Sequence, residues 1–421
     1  MAEYIIQGGK KLSGQIKLSG NKNAVFPCLS AGLLTEEEII LRNIPDILDT
    51  RISLQILESL GAQVEFKNHT IRLKTKHLKT HVLPNELTKK LRGSVVFAGG
   101  LLGRLGKVEL SHPGGDVIGK RSIETHLEGF RSLGFEYEID TGVYKIYTKS
   151  GCPKELTHFL DEASVTATEN LILASVLGKS KITLKNCAKE PHIVDLCQLL
   201  NQMGAKITGV GESVLVIDGV EKLTGVEFSI SADYLEFGTY AIAAALTGGQ
   251  IKITGANLDS LLPVAKPLEK LGLEFNSLEG NTVLVECQEL KACSKIVINI
   301  WPGFPTDMMS LAIVLATQAQ GVTLCHDWMY ESRMFFVDKL ISMGANITIA
   351  DPHRVVVYGS TQLFGKELET PDIRAGMALV LAALAAKGES KINRAELIER
   401  GYEDVIEKLK SLGANITRIG S

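Results

Sequence analysis

The sequence predicts an α/β protein of two domains, assembled from six copies of one unit whose apolar helices pack together with strands outside them. Three observations carry this expectation. A phrase of helix end, glycine and strand recurs six times along the chain. Helices rich in alanine and glycine, apolar on every side, precede several of the copies. At 421 residues the chain is also longer than one hydrophobic core usually serves.

The recurring phrases are LESLGAQVEF, FRSLGFEYEI, LNQMGAKITG, LEKLGLEFNS, LISMGANITI and LKSLGANITR. Their glycines, Gly61, Gly134, Gly204, Gly272, Gly344 and Gly413, stand 68 to 73 residues apart, so the repeat spans the whole chain. Each follows an amphipathic helix and precedes an alternating strand, where a residue without a Cβ can take the left-handed conformation that stops a helix. Upstream lie stretches such as SVTATENLILASVLG and DIRAGMALVLAALAAKG, followed by strands such as SKITLKN and ESKINRA. Helices of that composition cannot form a solvent-facing layer, so they are expected to pack as a helical core.

Composition excludes several classes. With 45% apolar and 22% charged residues and a formal net charge of −3, the chain reads as an ordinary globular protein with no bulk charge for nucleic acid or a membrane surface. The opening MAEYIIQGGKKLSG lacks the features of a signal peptide, so a cytoplasmic location is expected. The apolar run 375–386 is too short to span a bilayer and reads as a core helix. Seven cysteines without C-x-x-C pairing fit reduced thiols. No metal-ligand spacing is present, and GVGES at 209–213 has two glycines of a dinucleotide fingerprint with no third in register. Neither metal nor cofactor is expected.

Several local motifs stand out. WPGFPTDMMS at 301–310 uses Pro302, Gly303 and Pro305 to present Thr306 and Asp307 at a helix start. SGNKNAVFP at 19–27 sets Lys22 and Asn23 in a loop just before a helix. Arginines stand in the phrases KLRGS, GKRS, YESRMFFV, PDIRAGMAL and IERGYEDV, and HPGGDVIGKRS at 112–122 reads as a loop made mobile by Gly114 and Gly115. DEASVTATEN at 161–170 opens a helix whose N–H groups suit an anion.

With six such units and these phrases, the chain resembles the enolpyruvyl transferases, and within them the branch that accepts a nucleotide sugar. The resemblance runs from the first glycine pair to the last strand. It implies a two-domain inside-out α/β barrel of six βαβαββ repeats, three per domain, with helices inside and sheets outside. One domain would be 22–231 and the other 1–21 plus 232–421, with the active site in the cleft between them. The implied reaction moves the enolpyruvyl group of phosphoenolpyruvate to the 3′-hydroxyl of UDP-N-acetylglucosamine by addition and elimination, with release of phosphate. The implied partners are those two small molecules, with no nucleic acid or membrane, and the expected state is a monomer.

Residue roles follow from the same resemblance. Lys22 contacts phosphoenolpyruvate and Asn23 the sugar, with Asn23 also beside the donor. Arg121 and Arg400 match the arginines on the phosphate, Arg333 and Arg374 those on the carboxylate, and Arg92 another pocket arginine. Asp307 matches the general base facing the sugar hydroxyl, with Thr306 and Met329 beside it. Ser164, Val165 and Thr166 match the uridine-diphosphate site, to which Arg92 and Arg121 also contribute. His126, Glu190, Asp233 and Glu331 match supporting positions. Asp116 stands where the best-known members carry a cysteine, and a carboxylic acid there can supply the proton needed at C3. Fosfomycin, which alkylates that cysteine, is therefore expected to be ineffective. Thr166 replaces a more usual glycine and Ser122 a more usual proline. Two alternatives stay open: the sister transferase of the shikimate pathway, and a silent protein that binds a nucleotide sugar.

Overall fold

The computed structural model describes residues 2–115, 118–119 and 121–420. They form two compact units, one of residues 20–115 and 121–231, the other of residues 2–19, 118–119 and 232–420.

In the first unit the repeats build three sheets. Strand Ile39–Arg42 runs parallel to Glu227–Ser229 and antiparallel to Thr70–Lys74, which pairs with Gln63–Lys67. The third repeat has the same pattern, with Lys181–Lys185 parallel to Glu155–Phe159, antiparallel to Val214–Asp218, and Lys206–Thr208 at the far edge. In the middle repeat, Lys107–Ser111, Val143–Thr148 and Phe135–Asp140 form three strands, and a bridge from Val82 to Glu109 stands where the parallel strand would be. The other unit repeats the pattern three times in sheets centred on Gln250–Thr254, Gly321–His326 and Glu389–Asn393. Ser13–Lys17 supplies the parallel strand of one of these sheets, and Glu3–Gln7 sits between Glu389–Asn393 and Asn415–Ile419 in another. Side chains alternate as a half-buried sheet requires: Ile182 and Leu184 are buried while Lys181 and Lys185 face water.

Inside the sheets lie the apolar helices. Lys22–Ala31, Phe97–Leu105 and Val165–Ser175 pack on one another in the first unit, and Tyr234–Leu246, Met309–Gln318 and Ile373–Ala385 do so in the second. Nearly every residue of these helices is buried, as an all-round apolar helix demands. Small residues let them approach. Gly99 donates its N–H to Asn170 Oδ1 at 2.6 Å and Asn170 Nδ2 donates to the Val95 carbonyl at 3.0 Å, a brace that a Cβ at Gly99 would disrupt. The second helix of each repeat is amphipathic; Pro191–Gln202 buries Ile193, Leu196, Cys197 and Leu200 at helical spacing.

All six repeat glycines adopt positive φ, between 90° and 106°, immediately after the second helix. The residue before most of them then accepts a hydrogen bond, from the returning chain at Leu60 (Lys79 N–H), Met203 (Thr224), Leu271 (Lys291) and Met343 (Phe364), and at Leu412 from Ser13, which lies far upstream. The glycine stop thus fixes both the end of the helix and the seat of the segment that leads on.

Gly134→Ala and Gly204→Ala separate two effects. Both force an alanine into left-handed backbone, which costs about 1–2 kcal/mol. Only at Gly134 would the new Cβ also collide with a backbone carbonyl, that of Gly151, whereas nothing lies within 4 Å at Gly204. Urea unfolding is expected to show the larger loss for Gly134→Ala; equal losses would show that the Gly151 turn yields freely.

Candidate active site

In both units the starts of the central helices carry the candidate residues. Within the second unit the turn 301–308 brings Thr306 and Asp307 to a helix start. Thr306–Met308 forms a 3-10 turn ahead of Met309–Gln318, and neither Thr306 nor Asp307 acts as a simple cap. Their side chains are used elsewhere. Arg333 Nη2 donates to Asp307 Oδ1 at 2.9 Å, and Arg374 Nε donates to Asp307 Oδ2 at 3.2 Å. Thr306 Oγ1 donates to Asp327 Oδ2.

Both arginines are buried, while about a third of the Asp307 side chain is exposed. Burial works against the charge on Arg333, but Asp307, Asp372 and Asp327 outweigh it and raise the guanidinium above its ordinary value. Arg374 behaves alike: burial lowers it, and Tyr402, Asp307 and Asp233 more than compensate. Taking one such charge out of water costs several kcal/mol unless it is paired, and Asp307 supplies the partner for both. Arg333 also lies over the Tyr330 ring at 5.5 Å and Arg374 over Tyr402 at 5.3 Å. Among the described residues, Arg333 Nε and Arg374 Nη1 are buried donors without a hydrogen-bond acceptor, a feature that fits the oxygens of an anion.

The rest of this half of the candidate set is more dispersed. Asp233 caps the 234–246 helix by accepting from the Leu235 and Glu236 N–H groups at 2.7 and 3.2 Å. Met329 is half-buried, Glu331 is exposed, and half-buried Arg400 ends the 3-10 segment Ala395–Arg400. Asp372 caps the last central helix by accepting from Arg374 and Ala375 N–H, which holds Arg374 on the first turn.

In the first unit, Lys22 lies not in the loop but at the first position of the 22–31 helix, with Asn21 as the cap accepting from Asn23 N–H at 3.0 Å. The Lys22 ammonium is almost fully buried and pairs with the Asp49 carboxylate at 2.9 Å. Arg92 Nη2 donates to the Ser122 carbonyl at 3.0 Å. Gly115, at a φ of 109°, brings the loop against two arginines: a Cβ there would fall 2.9 Å from Arg92 Cβ and 3.3 Å from the Arg121 guanidinium. Asp116 lies outside the described residues.

Ser164 caps the 165–175 helix, accepting from Ala167 N–H at 3.4 Å, with Val165 and Thr166 half-buried on its first turn. His126, on helix Glu124–Ser132, meets Thr166 Oγ1 through Nε2 at 3.0 Å. Burial, aided by the Arg92 charge, lowers the His126 imidazole to about 3, so the ring is neutral near pH 7. Glu190 stands just ahead of the 191–202 helix without a side-chain cap bond, its carboxylate accepting from Lys189 N–H at 2.9 Å, and burial raises its carboxyl. Among the described residues no cluster of His, Cys, Asp and Glu could hold a metal ion.

Sequence reasoning singled out Lys22, Thr306, Asp307 and the arginines but not Asp49 and Asp327, the carboxylates that meet Lys22 and Thr306. Asp49 and Asp327 sit in DTRISLQ and CHDWMYESR, where no spacing distinguishes them from capping or turn residues.

Because the folded state keeps His126 neutral while the unfolded chain binds a proton near the ordinary histidine value of about 6.5, its contribution to stability falls as pH drops from there toward 3. His126→Gln is expected to flatten that part of the stability profile. Thermal unfolding of both proteins between pH 7 and pH 5 checks this; parallel profiles would show that His126 is protonated without penalty.

The family described as EPSP synthase (3-phosphoshikimate 1-carboxyvinyltransferase) matches residues 6–409. A UDP-N-acetylglucosamine 1-carboxyvinyltransferase of Treponema denticola is 48% identical over 425 residues, covering 99% of each chain. A protein of the same name from Borreliella burgdorferi is 45% identical over 428 residues, covering 100% of each. Among solved structures, the enolpyruvyl transferase NikO from Streptomyces tendae matches 100% of this chain and 99% of its own with a TM-score of 0.89 at 23% identity, a likeness of fold. A family match of that span, with full-length relatives at that identity, means that this chain belongs to the EPSP synthase family of enolpyruvyl (carboxyvinyl) transferases.

Proposed function

We propose that this chain transfers the enolpyruvyl group of phosphoenolpyruvate to the 3′-hydroxyl of UDP-N-acetylglucosamine and releases phosphate, the first committed step of peptidoglycan synthesis. The observation that carries this reading is full-length similarity, at up to 48% identity, to transferases named for that sugar nucleotide. For the shikimate-pathway alternative there is the family match, which both branches share, and a likeness of fold at 17% identity to an EPSP synthase of Acinetobacter baumannii.

The chemistry assigns roles as follows. Asp307 takes the proton of the acceptor hydroxyl as its oxygen bonds to C2 of phosphoenolpyruvate, and Asp116 delivers a proton to C3. The tetrahedral adduct then loses phosphate from C2 and a proton from the methyl group, leaving the enol ether. Lys22, Arg121 and Arg400 hold the phosphate, Arg333 and Arg374 the carboxylate, with Asn23 beside donor and sugar. Arg92, Ser164, Val165 and Thr166 hold the nucleotide, and Thr306 and Met329 the sugar. His126, Glu190, Asp233 and Glu331 support these groups. Such a base must be within hydrogen-bond reach of its proton and free to accept it, so substrate binding has to draw the two arginines away from full engagement with Asp307. A donor carboxylate does this by offering both guanidinium groups a second anion. On this reading the protein works as a cytoplasmic monomer without a resident cofactor.

Phosphate release from phosphoenolpyruvate is expected to require UDP-N-acetylglucosamine and to be absent with shikimate 3-phosphate; the reverse pattern would overturn the assignment. Asp307→Asn is expected to lower kcat/KM by about 100-fold or more, while exposed Lys179→Gln leaves it unchanged. A carboxylate is a far poorer nucleophile than a thiolate, so intact-mass measurement after incubation with fosfomycin is expected to show no adduct, and Asp116→Cys to introduce one. An adduct on residue 116 of the natural sequence would contradict this.

A further inference from the structure

Asp327 is the first residue after strand Gly321–His326, and its side chain is completely buried. One carboxylate oxygen, Oδ1, accepts from the Met329 N–H at 3.0 Å and the Tyr330 N–H at 3.2 Å. The other, Oδ2, accepts from Thr306 Oγ1 and lies 3.9 Å from Arg333 Nε, too far for a hydrogen bond but close enough to feel its charge. The backbone is fixed as well. Asp327 N–H donates to the His353 carbonyl at 2.9 Å, and the Asp327 carbonyl meets His353 Nδ1 at 2.7 Å. A single buried anion therefore spans two separate segments, the 305–308 turn and the 328–330 turn, while its own position is set by a third.

A buried carboxylate is expensive to place unless its lone pairs are used. Here three donors and a nearby guanidinium use them, and all sit beside the site. The sequence distance matters too: Thr306 and Met329 are 23 residues apart, and no helix or sheet pairing joins their turns directly. Asp327 bonds both turns directly, alongside the Arg333–Asp307 pair at 2.9 Å and the Trp328 Nε1 bond to the Ile298 carbonyl at 2.9 Å.

We propose that Asp327 is a positioning residue for the acceptor sugar, holding Thr306 and the Met329–Tyr330 turn at the separation that the sugar spans. This role rests on the reading that Thr306 and Met329 contact the acceptor. Arg333 has a bond of its own to Asp307 at 2.9 Å, whereas Asp327 lies 3.9 Å from it, so on this reading the donor site depends less on the Asp327 carboxylate.

The test is steady-state kinetics of wild type, Asp327→Ala, Asp327→Asn and Asp327→Glu, each substrate varied with the other saturating. Misplacement on the order of an ångström can cost about 100-fold. Asp327→Ala is expected to raise KM for UDP-N-acetylglucosamine about 10- to 100-fold, with KM for phosphoenolpyruvate changed by less than about threefold. Asn keeps an acceptor for the two N–H groups and a partner for the Thr306 hydroxyl, so Asp327→Asn is expected to recover most of the loss. Glu, longer by a methylene in a fully buried place, drives the two turns apart and raises the same KM. If Asp327→Ala does not fold, the Glu and Asn variants alone decide.

A purely structural role would lower the melting temperature and kcat while leaving both KM values in place, and that result overturns the proposal. So does an equal rise in both KM values, or a failure of Asn to rescue. Absence of wild-type turnover with this pair of substrates would overturn the assigned activity and this role with it, whereas wild-type turnover with unchanged KM in the variants sinks only the role of Asp327.

Discussion

The Asp307 carboxylate, held between the Arg333 and Arg374 guanidinium groups, is the constraint on which the candidate chemistry depends. Two buried positive charges so close together would repel and resist desolvation if nothing negative stood between them. The same carboxylate that makes the pair tolerable is the one proposed to accept a proton. Stability and reactivity thus share one residue. The surrounding carboxylates divide the load: Asp372 and Asp233 cap helices whose first turns carry or adjoin the arginine cluster, and Asp327 serves Thr306 and Arg333 together.

The fold explains why these groups fall where they do. An apolar helix buried on every side presents only its ends to polar surroundings, so polar residues of a central helix collect at its first turn. Lys22, Ser164, Asp233, Thr306 with Asp307, and Arg374 all occupy such positions. The repeat therefore generates a set of equivalent polar sites, and sequence differences among the six copies decide which becomes cation, anion or cap.

Much of this was legible in the residues. The glycine phrase foretold the helix stops, and the all-round apolar stretches foretold the buried helices, because both signals are local and do not depend on partners. Thr306 and Asp307 were legible as important and as lying at a helix start, but only three-dimensional contact reveals that their side chains meet Asp327 and two arginines. Asp49 and Asp327 were invisible for the same reason: a lone aspartate near a helix start or strand end is common, and what distinguishes these two is the burial and charge of the groups they meet. Lys22 was read as a loop residue and lies one position into the helix, since Asn21 takes the cap.

The path of the chain through the two units has a consequence for its birth. Residues 20–231 complete three sheets apart from the short insertion at 118–119, so nearly all their pairings are available midway through synthesis. The strand Glu3–Gln7 precedes them in the sequence, yet its neighbours are Glu389–Asn393 and Asn415–Ile419. On the ribosome that strand must wait with both edges unsatisfied until roughly 400 further residues have been made, an exposed edge of the kind that invites wrong pairing.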